Sequence, residues 1–378
     1  MEKLEFRVAC AEHAEQVRAF NQRMVAGGTV GKRYRLSLDR PFKTVSQLEN
    51  SPITLEKVFC FEGGEIRGGA SIKRMKFRVN GVSEEVATWI APVSEGVINP
   101  AFTLVALRME REMRRRYPLI YSSGALESPA GQLMHHAGWF TLPIPFHFSV
   151  LRAHGFLRHL THLRRKALLK WVMDLAAWSG VGALALLVFT LVQRSLGRAP
   201  SMKNLTIERM ADWGDWATDL WETAAGAYSL IGDRSRDALA SLYPVGDERF
   251  LRFLISSRRT GKPLGWTVVT VSRLKNHNYF GNMLLGAMVD MFAAPEHALE
   301  VVYGALTAVR KAKADMVIVN HSDQRWNAAF RQAGMLPSAT NHHLFLVPKL
   351  KAQFQNLDED AKRFYFTRGD GHGPQNLW

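Results

Sequence analysis

The sequence predicts an α/β protein of two tandem units, each a mixed, mostly antiparallel sheet flanked by helices, with a membrane-seeking helical hairpin between them. Three observations lead there. The chain has 378 residues, long for one compact domain and ordinary for two that each bury a core. The order of strand-like and helix-like periodicities along residues 1–151 recurs along residues 200–350. Between them, residues 175–193 carry no charge at all.

The first unit opens with a strand-like run over 6–10 and a helix over 11–25, on which Ala14, Val17, Phe20 and Met24 recur at helical spacing. Three runs then alternate apolar residues with turn signals as in an antiparallel meander: 57–61 ending at Gly63-Gly64, 67–79 ending at Asn80-Gly81, and 85–91. A strongly amphipathic helix over 101–116, a strand over 119–123, a helix over 129–136 stopped at Gly138 and a last strand over 146–151 complete an order β-α-β-β-β-α-β-α-β.

After Pro200 the order restarts with a strand over 205–210 and a helix over 213–226. Strands follow over 250–256, 264–274 and 284–292, interrupted at Asn276-His277-Asn278. A helix over 295–311, a strand over 316–319, a helix over 325–333 closed by Gly334 and a strand over 343–347 finish the unit. The best local match sets residues 120–138 against 317–334, each reading strand, short loop, helix, Ala-Gly, strand. Residues 351–378 form a tail with a Gly-rich loop.

A transmembrane helix needs about 20 apolar residues, so residues 175–193 are long enough. Basic residues stand on both sides, with Arg152, Arg158, Arg164, Arg165, Lys166 and Lys170 before and Arg194 and Arg198 after, against the single acid Asp174. Positive flanks at both ends disfavour a single crossing. A break at Ser179-Gly180 gives instead a basic amphipathic helix, with Phe156, Leu160, Leu163 and Trp171 opposite Arg158, His162 and Arg165, followed by an apolar helix dipping into the leaflet. The alternative reading is a buried interdomain helix pair.

A net charge of +15 favours an anionic partner, whether phospholipid, nucleic acid or a phosphorylated substrate. Cys10 and Cys60 are the only cysteines, which excludes a disulfide scaffold, and nothing in their spacing suggests a metal site. The adjacent His135 and His136 point about 100° apart on a helix, and no third ligand is evident. The amino terminus lacks the apolar core of a secretory signal, so the expected location is the cytoplasmic side of a membrane.

The strand-helix order, together with the stretch Asn320 to Gly334, resembles the fifth strand and fourth helix of GNAT acyltransferases; residues 122–138 resemble the same element. The resemblance implies acyl-CoA as co-substrate, bound where the fourth and fifth strands splay apart. The family's pyrophosphate loop, a basic or Gln residue followed by x-x-Gly-x-Gly or Gly-x-Ala, is missing from both corresponding positions, 91–100 and 291–296. A helix start still offers free N–H groups to phosphate. Ser94, Glu95 and Gly96 fall in the loop after the fourth strand, where Glu95 is a candidate general base or a helix-terminal acid. Asp290 lies on the matching strand of the second half.

Asn320, His321 and Ser322 end a strand at the expected cleft, where they can hold an acyl carbonyl or pass a proton, or simply cap a loop. Ser122 and Ser123 occupy the matching strand end of the first half. In the tail, Arg368 suits phosphate or carboxylate and Asp370 suits sugar hydroxyls, with Gly369 giving the loop freedom for close approach; the alternative is a turn packing Trp378 back on the domain. The Ser-Glu-Gly loop and Arg-Gly-Asp-Gly tail are similar to those of paired GNAT proteins found with bacterial surface-polysaccharide genes. That resemblance implies a membrane-associated transferase acting on an amine or hydroxyl of a sugar- or lipid-linked acceptor at the inner face of the cell membrane. Two rivals are a FemABX-like aminoacyl-tRNA-dependent transferase, for which nucleic acid is the partner, and a catalytically inactive pair serving as membrane scaffold or ligand sensor. Whether the halves pair within one chain or in a homo-oligomer stays open.

Overall fold

The computed structural model describes residues 4–31, 34–37, 51–161, 164, 167–196, 202–340 and 342–371. Strand β1 (Glu5–Val8) and helix α1 (Ala14–Ala26) lead into a long antiparallel meander, β2 (Thr54–Glu62), β3 (Glu65–Val79) and β4 (Val82–Ser94). Its turns fall at Gly63-Gly64 and Asn80-Gly81, and all four residues have the positive φ that two-residue hairpin turns demand. Helix α2 (Thr103–Arg116), strand β5 (Ile120–Ala125), helix α3 (Pro129–His136) and the short strands β6 (Phe140–Pro143) and β7 (Phe146–Val150) follow.

The middle segment is α4 (Ala153–His159), α5 (Ala167–Trp178) and α6 (Val181–Leu196). The second series runs β8 (Leu205–Arg209), α7 (Trp216–Ala224), β9 (Leu230–Gly232), α8 (Arg236–Leu242), β10 (Leu251–Ser257), β11 (Pro263–Arg273) and β12 (Leu284–Ala293). It continues with α9 (Ala298–Lys311), β13 (Met316–Asn320), α10 (Gln324–Gln332), β14 (Leu336–Ser338) and β15 (His342–Leu346). The tail contributes α11 (Pro348–Lys351), α12 (Leu357–Ala361) and β16 (Phe364–Tyr365).

The matched stretches fold alike for the same local reasons. Ser128 caps α3 by accepting from the Gly131 N–H, and Asp323 caps α10 by accepting from Arg325 and Trp326. Gly138 and Gly334, at φ of 80° and 81°, close the two helices in left-handed backbone.

One sheet has the order β1-β2-β3-β4-β5-β15-β6 and the other β8-β10-β11-β12-β13-β7-β14. The two orders correspond strand for strand, yet the sixth strand of each comes from the other half. The strand expected to close the first unit, β7, pairs with β13, and β15 pairs with β5 and β6. Two residues make the crossing, where Ile144 N–H donates to the His342 carbonyl and His321 N–H to the Pro145 carbonyl. Packing explains the placement: Phe146 and Phe148 lie against Leu285, Met316 and Ile318, and Leu344, Phe345 and Leu346 are wholly buried. The halves therefore pair within one chain. Strand β9 extends the first sheet by pairing with the end of β3, and β16 pairs with β9. A continuous apolar cluster runs through both halves, from Ile72, Trp89 and Ile120 to Trp266, Val289 and Trp326.

Helices α5 and α6 are separated at Ser179-Gly180, with Gly180 at positive φ. Among the described residues no helix is long and apolar enough to cross a membrane. Among the described residues most of their apolar side chains are exposed rather than packed as interdomain core, Trp178 at 70% and Leu184 at 60%.

On the exchanged strand, His147 is buried beside Phe330, and neither ring nitrogen has a hydrogen-bond partner among the described residues. Burial, with Arg331 adding to it, brings its pKa from 6.5 down to about 4. A depressed histidine pKa means that the unfolded chain takes up the proton first. Stability should fall as pH drops from about 6.5 toward 4, by on the order of 3 kcal/mol for this one group. Denaturant titrations across that range should show a smaller loss for His147→Phe than for the wild type.

Candidate active site

In both sheets the two parallel central strands start paired and then part. In the first sheet, β4 and β5 pair at Ala87/Ile120, Thr88/Tyr121 and Trp89/Ser122, and no further. Ser122 Oγ donates to the Trp89 carbonyl at 2.8 Å on the last rung. Beyond it β4 bulges, with Ala91 at φ 47°, and Pro92 has no N–H to offer a neighbour. From there β4 keeps only β3 and β5 keeps only β15. A cavity of about 60 Å³ opens beside this gap, lined by Trp89, Pro92 and Val93 of β4, Met109 of α2, and Pro129 and Leu133 of α3.

The loop at the mouth of this gap is built from Ser94, Glu95 and Gly96. Ser94 Oγ accepts from the Gly96 N–H, Asn99 Oδ1 from the Ala101 N–H, and the Glu95 carbonyl from Ile98 and Asn99. Most N–H groups here are thus used within the loop, in keeping with the missing pyrophosphate motif. Gly96 lies so close to the start of α2 that a Cβ would come within 2.7 Å of the Phe102 carbonyl oxygen. Glu95 is buried, with Arg23 Nε at 2.8 Å from one carboxylate oxygen and Arg67 Nη1 at 3.1 Å from the other. Arg67 also stacks over Phe102. This arrangement fastens α1 to the loop and engages both carboxylate oxygens in ion pairs.

In the second sheet, β12 and β13 pair from Leu285/Met316 to Met288/Val319 and then part beside a bulge at Val289 of β12. Here the gap is filled by the tail. Ser322 N–H donates to the Phe366 carbonyl at 3.0 Å, Phe366 N–H to Ser322 Oγ at 2.8 Å, and His321 bridges Thr367. Thr367 Oγ1 donates to Asp290 Oδ1, and Arg368 Nη1 to Asn320 Oδ1 at 2.7 Å. Of the candidate residues in this half, Asp290, Asn320 and Ser322 hold the tail. His321 is fully buried between Trp326 and Tyr365, and its Nδ1 accepts the Asp323 N–H. Burial, reinforced by Arg234, holds its pKa well below 6.5.

Beneath the tail turn lies a buried ionic group. Arg234, inaccessible to solvent, places Nε 2.9 Å from Asp290 Oδ2 and Nη2 2.6 and 2.7 Å from the two oxygens of Asp370. Tyr243 donates its hydroxyl to Asp290 at 2.8 Å. Burial pushes the Asp290 carboxyl up to about 6 against the pull of Arg234. Gly369 is required because a Cβ would fall 2.1 Å from the Tyr243 hydroxyl. Arg368 is partly buried, and desolvation draws its pKa down to about 10; its guanidinium donates to Asn320. Tyr121 crosses from the first sheet and donates to the Asp370 carbonyl at 2.8 Å. Ser123 faces the same turn, since a Cβ on Gly371 would sit 3.1 Å from its Oγ. Residues 372–378, with His372 and Trp378, lie outside the described residues.

Arg234 and Tyr243 escape sequence reading because nothing local marks them: each is defined by a carboxylate about fifty or more positions away. Removing Arg234 leaves two carboxylates facing each other without a counter-charge. Arg234→Met should destabilise the protein by about 3–5 kcal/mol and free the tail, read as a lower denaturation midpoint and early proteolysis after α12.

By sequence, the chain matches no protein-family model and no curated protein. By structure it is similar to Saccharomyces cerevisiae N-myristoyltransferase with bound myristoyl-CoA, at TM-score 0.54 and 11% identity over 92% of this chain and 79% of that one. It is also similar to a probable N-acyltransferase of Enterococcus faecalis V583 (TM-score 0.51, 10% identity, 92% of this chain and 74% of that one). A third likeness is to a GCN5-related N-acetyltransferase of Anabaena variabilis (TM-score 0.50, 12% identity, 91% and 72%). At such identities the likeness speaks for architecture alone: the chain shares the fold of these transferases.

Proposed function

We propose that the chain is an acyl-CoA-dependent N-acyltransferase whose donor occupies the gap of the first sheet, while the second gap is closed by the chain's own tail. The observation that carries this reading is the contrast between the gaps. One opens onto an apolar cavity between β4, α2 and α3, and the other is stitched shut by Phe366, Thr367 and Arg368. The apolar lining suits an acyl chain and pantetheine. The yeast neighbour, whose structure holds myristoyl-CoA, shares the fold over most of this chain. In the reaction the acceptor nitrogen attacks the thioester carbonyl, the carbon–nitrogen bond forms, and the carbon–sulfur bond breaks to release the thiol.

The acceptor is sugar- or lipid-linked and meets the enzyme at an anionic membrane surface, on the inner face of the cell membrane. Supporting this, Trp171, Leu175 and Trp178 of α5 and Leu184, Leu187 and Val188 of α6 are exposed apolar side chains in a segment flanked by basic residues. Such a surface suits burial at a lipid headgroup boundary, where each nearby Lys or Arg adds about 1 kcal/mol on an anionic leaflet.

Donor binding tests the central claim. Acetyl-CoA, myristoyl-CoA or coenzyme A at a hundred times its Kd should stabilise the folded protein by about 2.7 kcal/mol, seen as a rise in Tm. Ala130 of α3 also lines the cavity, and Ala130→Trp, which fills it, should abolish that rise while leaving the unliganded Tm near its wild-type value. No rise with any of the three thioester or thiol ligands would end the donor reading. For the membrane surface, the protein should float with phosphatidylglycerol vesicles and not with phosphatidylcholine vesicles, and Trp171→Glu with Leu184→Glu should keep it at the bottom of the gradient.

A further inference from the structure

Strands β3, β4 and β5 carry a buried polar row on the face of the first sheet turned away from the donor cavity. Lys73 is the register partner of Thr88, and Thr88 of Tyr121, and residues directly paired across strands share a face. Ser123, two positions beyond Tyr121, lies on that face as well. Trp89, one residue along, points the opposite way and lines the cavity. The row therefore sits through the sheet from the donor site, at the rung where β4 and β5 part. The tail turn covers it through Asp370 and Gly371.

Lys73 is 2% exposed and Ser123 is buried, and neither Lys73 Nζ nor Ser123 Oγ has a hydrogen-bond partner among the described residues. An ammonium without a partner is costly to bury. The charged groups acting on Lys73 are Asp370, Arg234 and Asp290, and the two carboxylates are both engaged by Arg234. Burial draws the Lys73 pKa down to about 8, with Asp370 opposing. Near neutral pH this amine can therefore exchange a proton. The acidic candidates around the gap are not equivalent to it: Glu95 is held by Arg23 and Arg67, and Asp290 by Arg234, Tyr243 and Thr367.

We infer that Lys73 is the proton acceptor for the incoming amine, and that Ser123 orients that amine on the face of the sheet opposite the donor cavity. The inference rests on the donor reading above. As the acceptor nitrogen bonds to the thioester carbon, its proton passes to Lys73 Nζ. The carbon–sulfur bond then breaks, the departing thiolate takes a proton from the Lys73 ammonium, and the lysine returns to its neutral state.

The test compares wild type, Lys73→Met, Lys73→Arg and Ser123→Ala for binding of myristoyl-CoA and for thiol release from it against pH, with ethanolamine, butylamine and hydroxylamine as acceptor amines. Lys73→Met removes a buried charge at similar volume, so its Tm should equal or exceed that of the wild type. All four proteins should bind the donor alike. With hydroxylamine, whose own ionisation lies below this range, wild-type release should rise with pH through an inflection near 8 and then level, because neutral Lys73 is the active form; with all three amines release by Lys73→Met and Lys73→Arg should be about a hundredfold slower, and with hydroxylamine that inflection should be lost. Ser123→Ala should raise the amine concentration for half-maximal rate while keeping the inflection. Donor binding with unchanged Lys73→Met rates, or with no wild-type release to any amine, would overturn the role of Lys73 alone. Absence of donor binding by the wild type would overturn it together with the donor reading.

Discussion

Arg234 held between Asp290 and Asp370 is the contact on which the rest of the site depends. Each carboxylate comes from a different part of the chain, one from the β12 strand and one from the tail turn, and the guanidinium follows β9. A buried pair of this kind adds little net stability compared with apolar packing. What it does is select an arrangement. Only with the tail seated against β12 and β13 are both carboxylates met by Arg234, and only then does the Tyr121 hydroxyl of the first sheet reach the Asp370 carbonyl.

Seating the tail also breaks a symmetry. The two sheets share strand order, the parting of the central parallel strands and even the helix-closing glycines. Filling one gap with the chain's own backbone turns that half into a wall, and the polar row of the other half is left facing it. An acceptor bound between them would meet the tail turn on one side and the parted strands on the other. The middle helices leave from β7, whose neighbours are in the second sheet, so a membrane-bound segment would be tied to the wall rather than to the donor half.

Much of this architecture is legible in the sequence, and the missing parts have physical reasons. Turn residues such as Asn80-Gly81 and closing glycines such as Gly138 and Gly334 act locally, so they mark elements reliably. The matched stretches 120–138 and 317–334 signalled the repeat because capping and helix closure are properties of a few adjacent residues. The exchange of β7 and β15 is not local: alternation says that Phe146 and Phe148 face a core, without saying whose. Strands β6, β9, β14 and β16 are too short to show a period. In the site, Asp290, Asn320 and Asp370 stood out as polar residues at strand ends or in a glycine-rich loop, but their partners could not be read. Lys73 was hidden for a further reason. It lies in Lys73-Arg74-Met75-Lys76-Phe77-Arg78, where the charges look like one solvated edge, and only the seating of β9 and the tail over β3 buries it.

The exchange of sixth strands also bears on how the molecule is made. A ribosome releases β1 to β6 long before residues 342–346, so β5 must wait with an open edge next to β6 while the second series up to β14 is made. Unpaired edges of apolar strands invite pairing with other chains. The amino-terminal half therefore cannot complete its sheet until β15 is made, and the segment from β15 onward closes both halves, by adding β15 to one and the tail to the other.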